Sequence, residues 1–275
     1  MKTLAVLITC FNRKNITKKC LSYLYVQQLP KGYQIDVYLT DDGCTDGTAD
    51  MVKTFFPLVN IVQGNGKLFW NRGMYKAWET ATATQKYDYY LWLNDDTFLF
   101  KDALSAIIKT SELTDNESII VGTVKSASTG KVSYGGRNEA GELIIPNGKT
   151  QKCHHFNGNV VLVPSFVYKK LGNLDPIFHH AMGDFDYGMR AIKSGINAYI
   201  TQDILGTCEL HESFPKWCSP AISIRKRIKF LYLSSCDCYP PHFFIFESRH
   251  YGLFRAIKHY ITIHTRVIFP KLWVS

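Results

Sequence analysis

Apolar runs alternate with amphipathic stretches through the first 125 residues. The strand-like runs are TLAVLITC (3–10), IDVYLT (35–40), LVNIV (58–62), YDYYLWL (87–93) and SIIVGTV (118–124). Between them, segments near 15–28, 46–56, 71–84 and 101–110 carry the spacing of helices covered on one face. Near-continuous apolar strands separated by such helices predict an α/β fold, a mostly parallel sheet covered on both sides. Residues 125–165 are strand-rich with turns at YGG and PNGK, which predicts a small antiparallel excursion. A helix near 164–171, the loop NLDPIFHHAMGDFDYGMRA and a strand near 196–201 follow. No repeat or low-complexity linker divides the chain. The pattern predicts one domain over 1–215 and a helical C-terminal extension over 216–275.

Three predicted strands end in polar clusters, TCFNR, TDDGCTDGT and NDDT, which a parallel sheet would bring to one edge. Ligands of such sheets gather at the carboxyl ends of the strands. In YDYYLWLNDDTF, six of the seven residues from Tyr87 to Leu93 are aromatic or aliphatic, and then come Asn94, Asp95 and Asp96. A strand end surfacing into water is one account of those acids. The other is a hard divalent cation, which takes carboxylate and phosphate oxygens together.

The remaining clusters also read two ways. In LTDDGCTDGTAD, Thr45 or Asp46 serves as a helix cap. Capping leaves Asp41 unexplained, and a carboxylate there can accept from the N3–H of uracil or thymine. In GNGKLFWNRGM, Asn71 and Arg72 open a helix, where free amides and a guanidinium favour a phosphate; an ordinary loop is the alternative. In HHAMGDFDYGMR, Asp184 can cap a helix while Asp186 pairs with Arg190 at i,i+4. A carboxylate in this loop can equally act as a general base.

Composition narrows the classes. Hydrophobic residues make up 46% of the 275, enough for a sizeable core. The eight cysteines are scattered, with only Cys236 and Cys238 close, and read as reduced thiols of a cytoplasmic protein. The N-terminal apolar run is short and lacks a cleavage site, so it is a first strand rather than a signal peptide. No stretch is long and apolar enough to predict a membrane span. The net charge of +9 is uneven: residues 216–275 hold ten Lys or Arg and two acids. A whole-protein nucleic-acid role therefore loses support. In this tail Ile224, Ile228 and Leu231 form one stripe opposite Arg225, Lys226 and Lys229. Leu253, Ile257, Tyr260 and Ile261 form another opposite Arg255, Lys258 and His259. Such stripes pack on the main domain or lie on an anionic membrane.

Together LITCFNR, TDDGCTDGT, LWLNDDT, FNGNVVLVP and GDFDYGMR, in this order, resemble an inverting, family 2 nucleotide-sugar glycosyltransferase of the GT-A type over about residues 3–212. The resemblance implies a Rossmann-like GT-A sheet. It implies that Asp41 reads the pyrimidine of a UDP- or dTDP-sugar and that Thr9, Phe11 and Arg13 line the nucleotide pocket, with Asn71 and Arg72 as further donor contacts. Asp96 would ligate Mg²⁺ or Mn²⁺ bridging the diphosphate, Asp95 would sit near the ribose or sugar, and Asp184 would be the base. His211 in GTCELHES is a candidate further metal ligand. Two positions depart from the family pattern: Asn94 replaces the first carboxylate of the metal motif, and Gly183 replaces the usual Glu before the base. The implied reaction moves a hexose or deoxyhexose, rhamnose among them, to a hydroxyl of a glycan or lipid-linked acceptor. Its implied setting is bacterial surface polysaccharide (O-antigen or capsule) assembly at the inner face of the cell membrane. A sugar nucleotidyltransferase is the main rival, but CFNRKN lacks the glycines of its phosphate loop. A catalytically silent nucleotide- or sugar-binding protein is the other, and intact Asp96 and Asp184 speak against it.

Overall fold

The computed structural model describes residues 1–210 and 214–273. The first apolar runs form β1 (Lys2–Cys10), β2 (Tyr33–Asp41), β3 (Val59–Gln63) and β4 (Tyr89–Leu93); after a short β5 (Phe98–Leu99) the fifth forms β6 (Ile119–Lys125). The intervening helices are α1 (Lys14–Tyr25), α2 (Thr48–Phe55), α3 (Phe69–Thr84) and α4 (Ala103–Glu112). The turn-rich middle yields β7 (Val132–Tyr134), β8 (Gly136–Arg137), β9 (Gln151–Cys153), β10 (His155–Phe156) and β11 (Val160–Pro164). Then come α5 (Ser165–Leu171), α6 (Gly183–Lys193) and β12 (Ala198–Thr207), followed by α7 (Ile224–Leu231), α8 (Pro240–Tyr251) and α9 (Leu253–Ile268).

The main sheet runs β3-β2-β1-β4-β11-β6-β12-β5. Strands β3, β2, β1 and β4 are parallel neighbours, and β11 enters antiparallel between β4 and β6. Strand β8 pairs with β10 in a separate two-stranded sheet. The order 3-2-1-4 reverses direction between β1 and β4, and crevices of open α/β sheets form at such a point. Cys10 sits opposite Asp41, and Leu7 opposite Trp92, so the polar ends of β1, β2 and β4 emerge together.

Alternation explains why these strands are apolar throughout. Leu4, Val6 and Ile8 face one layer with Leu21, Leu24, Leu104 and Ile107, while Ala5 and Leu7 face the other with Met74, Ala77, Trp78 and Tyr187. Successive strand side chains point to opposite faces, so a sheet covered twice needs both sets apolar. Helix α3 comes close to β1 at Gly73, where a Cβ would run into the Thr9 side chain.

The C-terminal extension is docked rather than tethered. Trp217, Cys218 and Leu231 form a small core with Ile263 and Val267 of α9. Phe246 of α8 packs with Phe178 and Met189 of the main domain, and Lys193 Nζ donates to the Arg249 carbonyl at 2.7 Å. Of the two readings of the tail stripes, packing inward or lying on a membrane, inward packing holds for Leu231 alone, the other apolar stripe residues being exposed. In α7 the buried residues are Arg227 and Leu231, while Ile224 and Ile228 are exposed. All eight cysteines are free thiols. Among the described residues no helix is long and apolar enough to cross a membrane.

Candidate active site

A cavity of about 740 Å³ opens at the carboxyl ends of β1 and β4. Thr9 at the end of β1 and Phe11 just beyond it line the cavity, Asn94, Asp95 and Asp96 leave β4 into it, and Asp184 enters from the start of α6. A cleft of this size suits a nucleotide-sized ligand.

The acids at the end of β4 are held by a cation from β1's loop. Arg13 Nη1 lies 3.1 Å from Asp95 Oδ1 and 2.8 Å from Asp96 Oδ2. Asp95 also accepts from Thr17 Oγ1 at 3.1 Å and is only 5% exposed. Burial pushes its pKa up to about 6, Arg13 opposing and Asp96 adding to the rise. Burial works against the charge on Arg13, but the two carboxylates hold its pKa above the ordinary value. Asn94 is occupied differently: its Oδ1 accepts from Trp70 Nε1 at 2.7 Å. The oxygen at this position is thus taken up by the indole rather than turned to the cavity's carboxylates.

Two adjacent carboxylates form a hard oxygen donor set that suits Mg²⁺ or Mn²⁺, a cation that completes its shell from water and a diphosphate. Among the described residues no three His, Cys, Asp or Glu side chains gather as a metal cluster. His211 lies outside the described residues.

Asp184 is built as a poised carboxylate. Its Oδ2 accepts from the Gly158 amide and its Oδ1 from the Phe185 amide, each at 2.9 Å. Burial pushes its pKa up to about 6, against the lowering effect of those amides. The FNGN segment thus contributes the backbone donor that orients this carboxylate. Trp70 ties the two halves together, with its Nε1 on Asn94 and its ring where a Cβ of Gly158 would fall.

Asp186 lies elsewhere. It is fully buried, with Arg190 Nε at 2.8 Å, Arg249 Nη1 at 2.7 Å and His250 Nε2 at 2.8 Å. Burial would raise its pKa, but His250 and the two guanidiniums hold it below the usual carboxylate range. The expected i,i+4 pair with Arg190 is present, and the cavity is left to Asp184.

Several expected donor contacts are placed away from the cavity wall. Asp41 is 2% exposed and spends Oδ1 on the Cys44 amide at 2.7 Å, while its neighbour Asp42 lines the cavity. Asp42 gathers the amides of Asn65, Gly66, Leu68 and Phe69 at 2.8–3.2 Å. Asn71 is fully buried and donates to the Asp175 and Phe178 carbonyls at 2.8 Å. Arg72 Nε donates to the Pro176 carbonyl at 2.7 Å. Both side chains brace the 175–179 loop through the Asp175, Pro176 and Phe178 carbonyls, while its His179 carbonyl accepts from the Asn71 and Arg72 amides of α3. Asn71 also accounts for Gly183, since a Cβ at 183 would collide with its Oδ1.

The cavity also contains residues that the motifs do not flag: Phe69, Trp70, Tyr134, His180, Met182 and Asp237. Phe69 (φ 56°) and Met182 (φ 74°) are non-glycine residues in the left-handed region. Such strain persists where surroundings over-determine it and clusters at functional sites. Asp237 belongs to the extension, so the tail completes one wall.

Solved structures of similar fold include S. aureus TarS and a mannosyltransferase. S. aureus TarS matches with a TM-score of 0.55 at 13% identity, covering 88% of this chain and 44% of TarS. TarS 1–349 in complex with UDP-GlcNAc gives 0.56 at 12% identity, covering 96% of this chain and 81% of that one. Mannosyltransferase PcManGT from Pyrobaculum calidifontis, in complex with GDP-Man and Mn²⁺, gives 0.55 at 16% identity, covering 81% and 60%. The chain thus spans less than half of TarS and under two thirds of PcManGT. No curated protein is similar enough in sequence to count as a match. These likenesses establish a GT-A-like α/β fold. Residues 5–172 match the family model described as Glycosyl transferase family 2, and with that match over more than half its length the chain belongs to glycosyl transferase family 2.

Proposed function

We propose that the protein transfers a sugar from a nucleotide-sugar donor to an acceptor hydroxyl with inversion at the anomeric carbon. The observation that carries this reading is the arrangement of one cavity: an Arg13-held carboxylate pair at β4 and a separate poised carboxylate, Asp184, on α6. Asp184 takes the proton of the acceptor hydroxyl as its oxygen attacks the anomeric carbon. The bond to the diphosphate breaks on the opposite side, and the amides of Gly158 and Phe185 keep the carboxylate aimed. Its pKa near 6 leaves it ionised at neutral pH yet basic enough to accept a proton. A bound Mg²⁺ or Mn²⁺, held by Asp96 with Asp95 beside it, would neutralise the diphosphate and stabilise it as leaving group.

The donor is a UDP- or dTDP-sugar with a hexosyl or deoxyhexosyl group, rhamnose among the latter. TarS structures hold UDP-GlcNAc and PcManGT holds GDP-Man with Mn²⁺, which supports a nucleotide sugar and a divalent cation here. Thr9, Phe11 and Arg13 contact the nucleotide side, and Asp42, which lines the cavity where Asp41 does not, replaces Asp41 as the candidate reader of the nucleobase. The acceptor is a glycan or lipid-linked saccharide of a bacterial surface polysaccharide, met at the inner face of the membrane. A thermal-shift screen of UDP, dTDP and GDP and their sugars, with and without Mn²⁺, tests the reading. A raised midpoint with one pyrimidine diphosphate and Mn²⁺ is expected, followed by transfer from its sugar. No shift with any nucleotide sugar, and no transfer or hydrolysis, refutes it.

A further inference from the structure

Helix α9 carries two apolar faces. Ala256, Ile263 and Val267 are buried, the latter two against Leu231 and Trp217. The second face is formed by Leu253, Phe254, Ile257, Ile261 and Ile268, which are 60, 86, 44, 58 and 51% exposed. At helical spacing these five fall within an arc of roughly 100°. Among the described residues nothing buries them. The end of α7 lies alongside, because Tyr232 Oη and His264 Nε2 are 2.8 Å apart and His264 falls in the same arc. Helix α7 adds exposed Ile224 and Ile228.

The charge around this face has one sign. Arg225, Lys226 and Lys229 on α7, Lys258 on α9 and Lys271 beyond it are all exposed. The extension's two acids are employed elsewhere. Glu247 is buried against Arg255 at 2.8 Å and His259 at 3.2 Å, and Asp237 lines the cavity. A second copy of the chain would bring like charges together, whereas an anionic surface would neutralise them.

We propose that the exposed face of α9, with the basic residues of α7, is a docking surface for an anionic lipid bilayer. A helix with an apolar arc flanked by Lys and Arg lies in the plane of the interface, its apolar side among the upper acyl chains. Negative headgroups attract the flanking cations within a Debye length. This deepens the reading of a lipid-linked acceptor, since Asp237 of the same extension lines the cavity and docking would place that cavity near the bilayer. The placement rests on that reading for its purpose only.

Sedimentation of the full chain with phosphatidylcholine vesicles, with and without phosphatidylglycerol, tests it in the absence of donor, so a failed sugar-transfer reading leaves the result intact. Binding to the anionic vesicles, weakened by salt, is expected. Phe254→Ser/Ile261→Ser and, separately, Lys226→Glu/Lys229→Glu should each lower that binding at least about tenfold. Both variants should keep the melting midpoint and the transfer rate to a soluble acceptor. Equal binding to neutral vesicles, or binding to neither, overturns the proposal. So does a dimer in solution that Phe254→Ser/Ile261→Ser dissolves while vesicle binding stays unchanged.

Discussion

Arg249 Nη1 lies 2.7 Å from Asp186 Oδ1, two residues along α6 from the Asp184 carboxylate. The same nitrogen reaches Asp175 Oδ2 at 2.8 Å. One side chain of the extension therefore fixes both the helix that carries the candidate base and the loop leading into it. Removing one partner of a buried pair leaves an uncompensated charge, on the order of 3 kcal/mol. Asp186→Ala and Arg249→Ala should each lower the melting midpoint by several degrees, and the double variant should cost less than the sum. Deleting 216–275 should likewise destabilise residues 1–215 and abolish transfer. A deletion variant with wild-type melting and turnover would show that the extension is a separate appendage.

Asp184 sets the acid limb of the pH profile. Its carboxylate must be ionised to accept a proton, and its pKa is pushed up to about 6 by burial. As pH falls through that value the protonated form takes over, so kcat should drop about tenfold per unit below it. Asp184→Asn should lower kcat at least about 10²-fold at neutral pH and remove this limb, with donor affinity kept. Should Asp186→Asn instead lose only stability while keeping the limb, the division between the two acids stands. An Asp184→Asn variant with wild-type turnover ends the assignment.

Much of this was readable from local pattern. The five apolar runs and the polar clusters ending three of them are period and position effects, and the strands differ from expectation by only a few residues at their ends. Three things resisted. Strands β7–β10 are two or three residues long, too short for a period to show. The choice of Asp42 over Asp41 as cavity wall depends on where the 64–69 loop returns. Asp186 meets Arg249 across 63 residues of sequence, and no local signal encodes such a pair. The tail stripes were visible as stripes, but period alone does not say which face meets solvent.

Asp96 carries the metal expectation. Its Oδ2 is paired with Arg13 and its Oδ1 lies 3.5 Å from Cys208 Sγ. Asp96→Asn should abolish transfer and Mn²⁺ binding, the latter read by electron paramagnetic resonance in the presence of nucleotide, while melting stays close to wild type. EDTA should inhibit, and added Mg²⁺ or Mn²⁺ should restore turnover. Full activity of Asp96→Asn in EDTA would mean that Arg13 and its neighbours suffice for the diphosphate.

Gly183 offers the sharpest separation of packing from propensity. Its φ is not in the left-handed region, and it sits in the first turn of α6, so the backbone raises no objection to alanine. Helix propensity alone would favour Gly183→Ala by up to about 1 kcal/mol. Packing points the other way, because the new Cβ would meet Asn71 Oδ1 and Cγ. Asn71 cannot retreat freely, since its amide is held by the Asp175 and Phe178 carbonyls at 2.8 Å. Overpacking of this kind costs about 1–3 kcal/mol, so the steric effect wins and the melting midpoint should fall. Gly183→Glu, the residue usual in the family, should be worse. Turnover should suffer with it, as any shift of the first turn moves Asp184 relative to the Gly158 amide. Combining Gly183→Ala with Asn71→Ala should cost less than the two separate losses added together. A Gly183→Ala variant that melts higher than wild type would show that Asn71 yields and that 183 is glycine for some other reason.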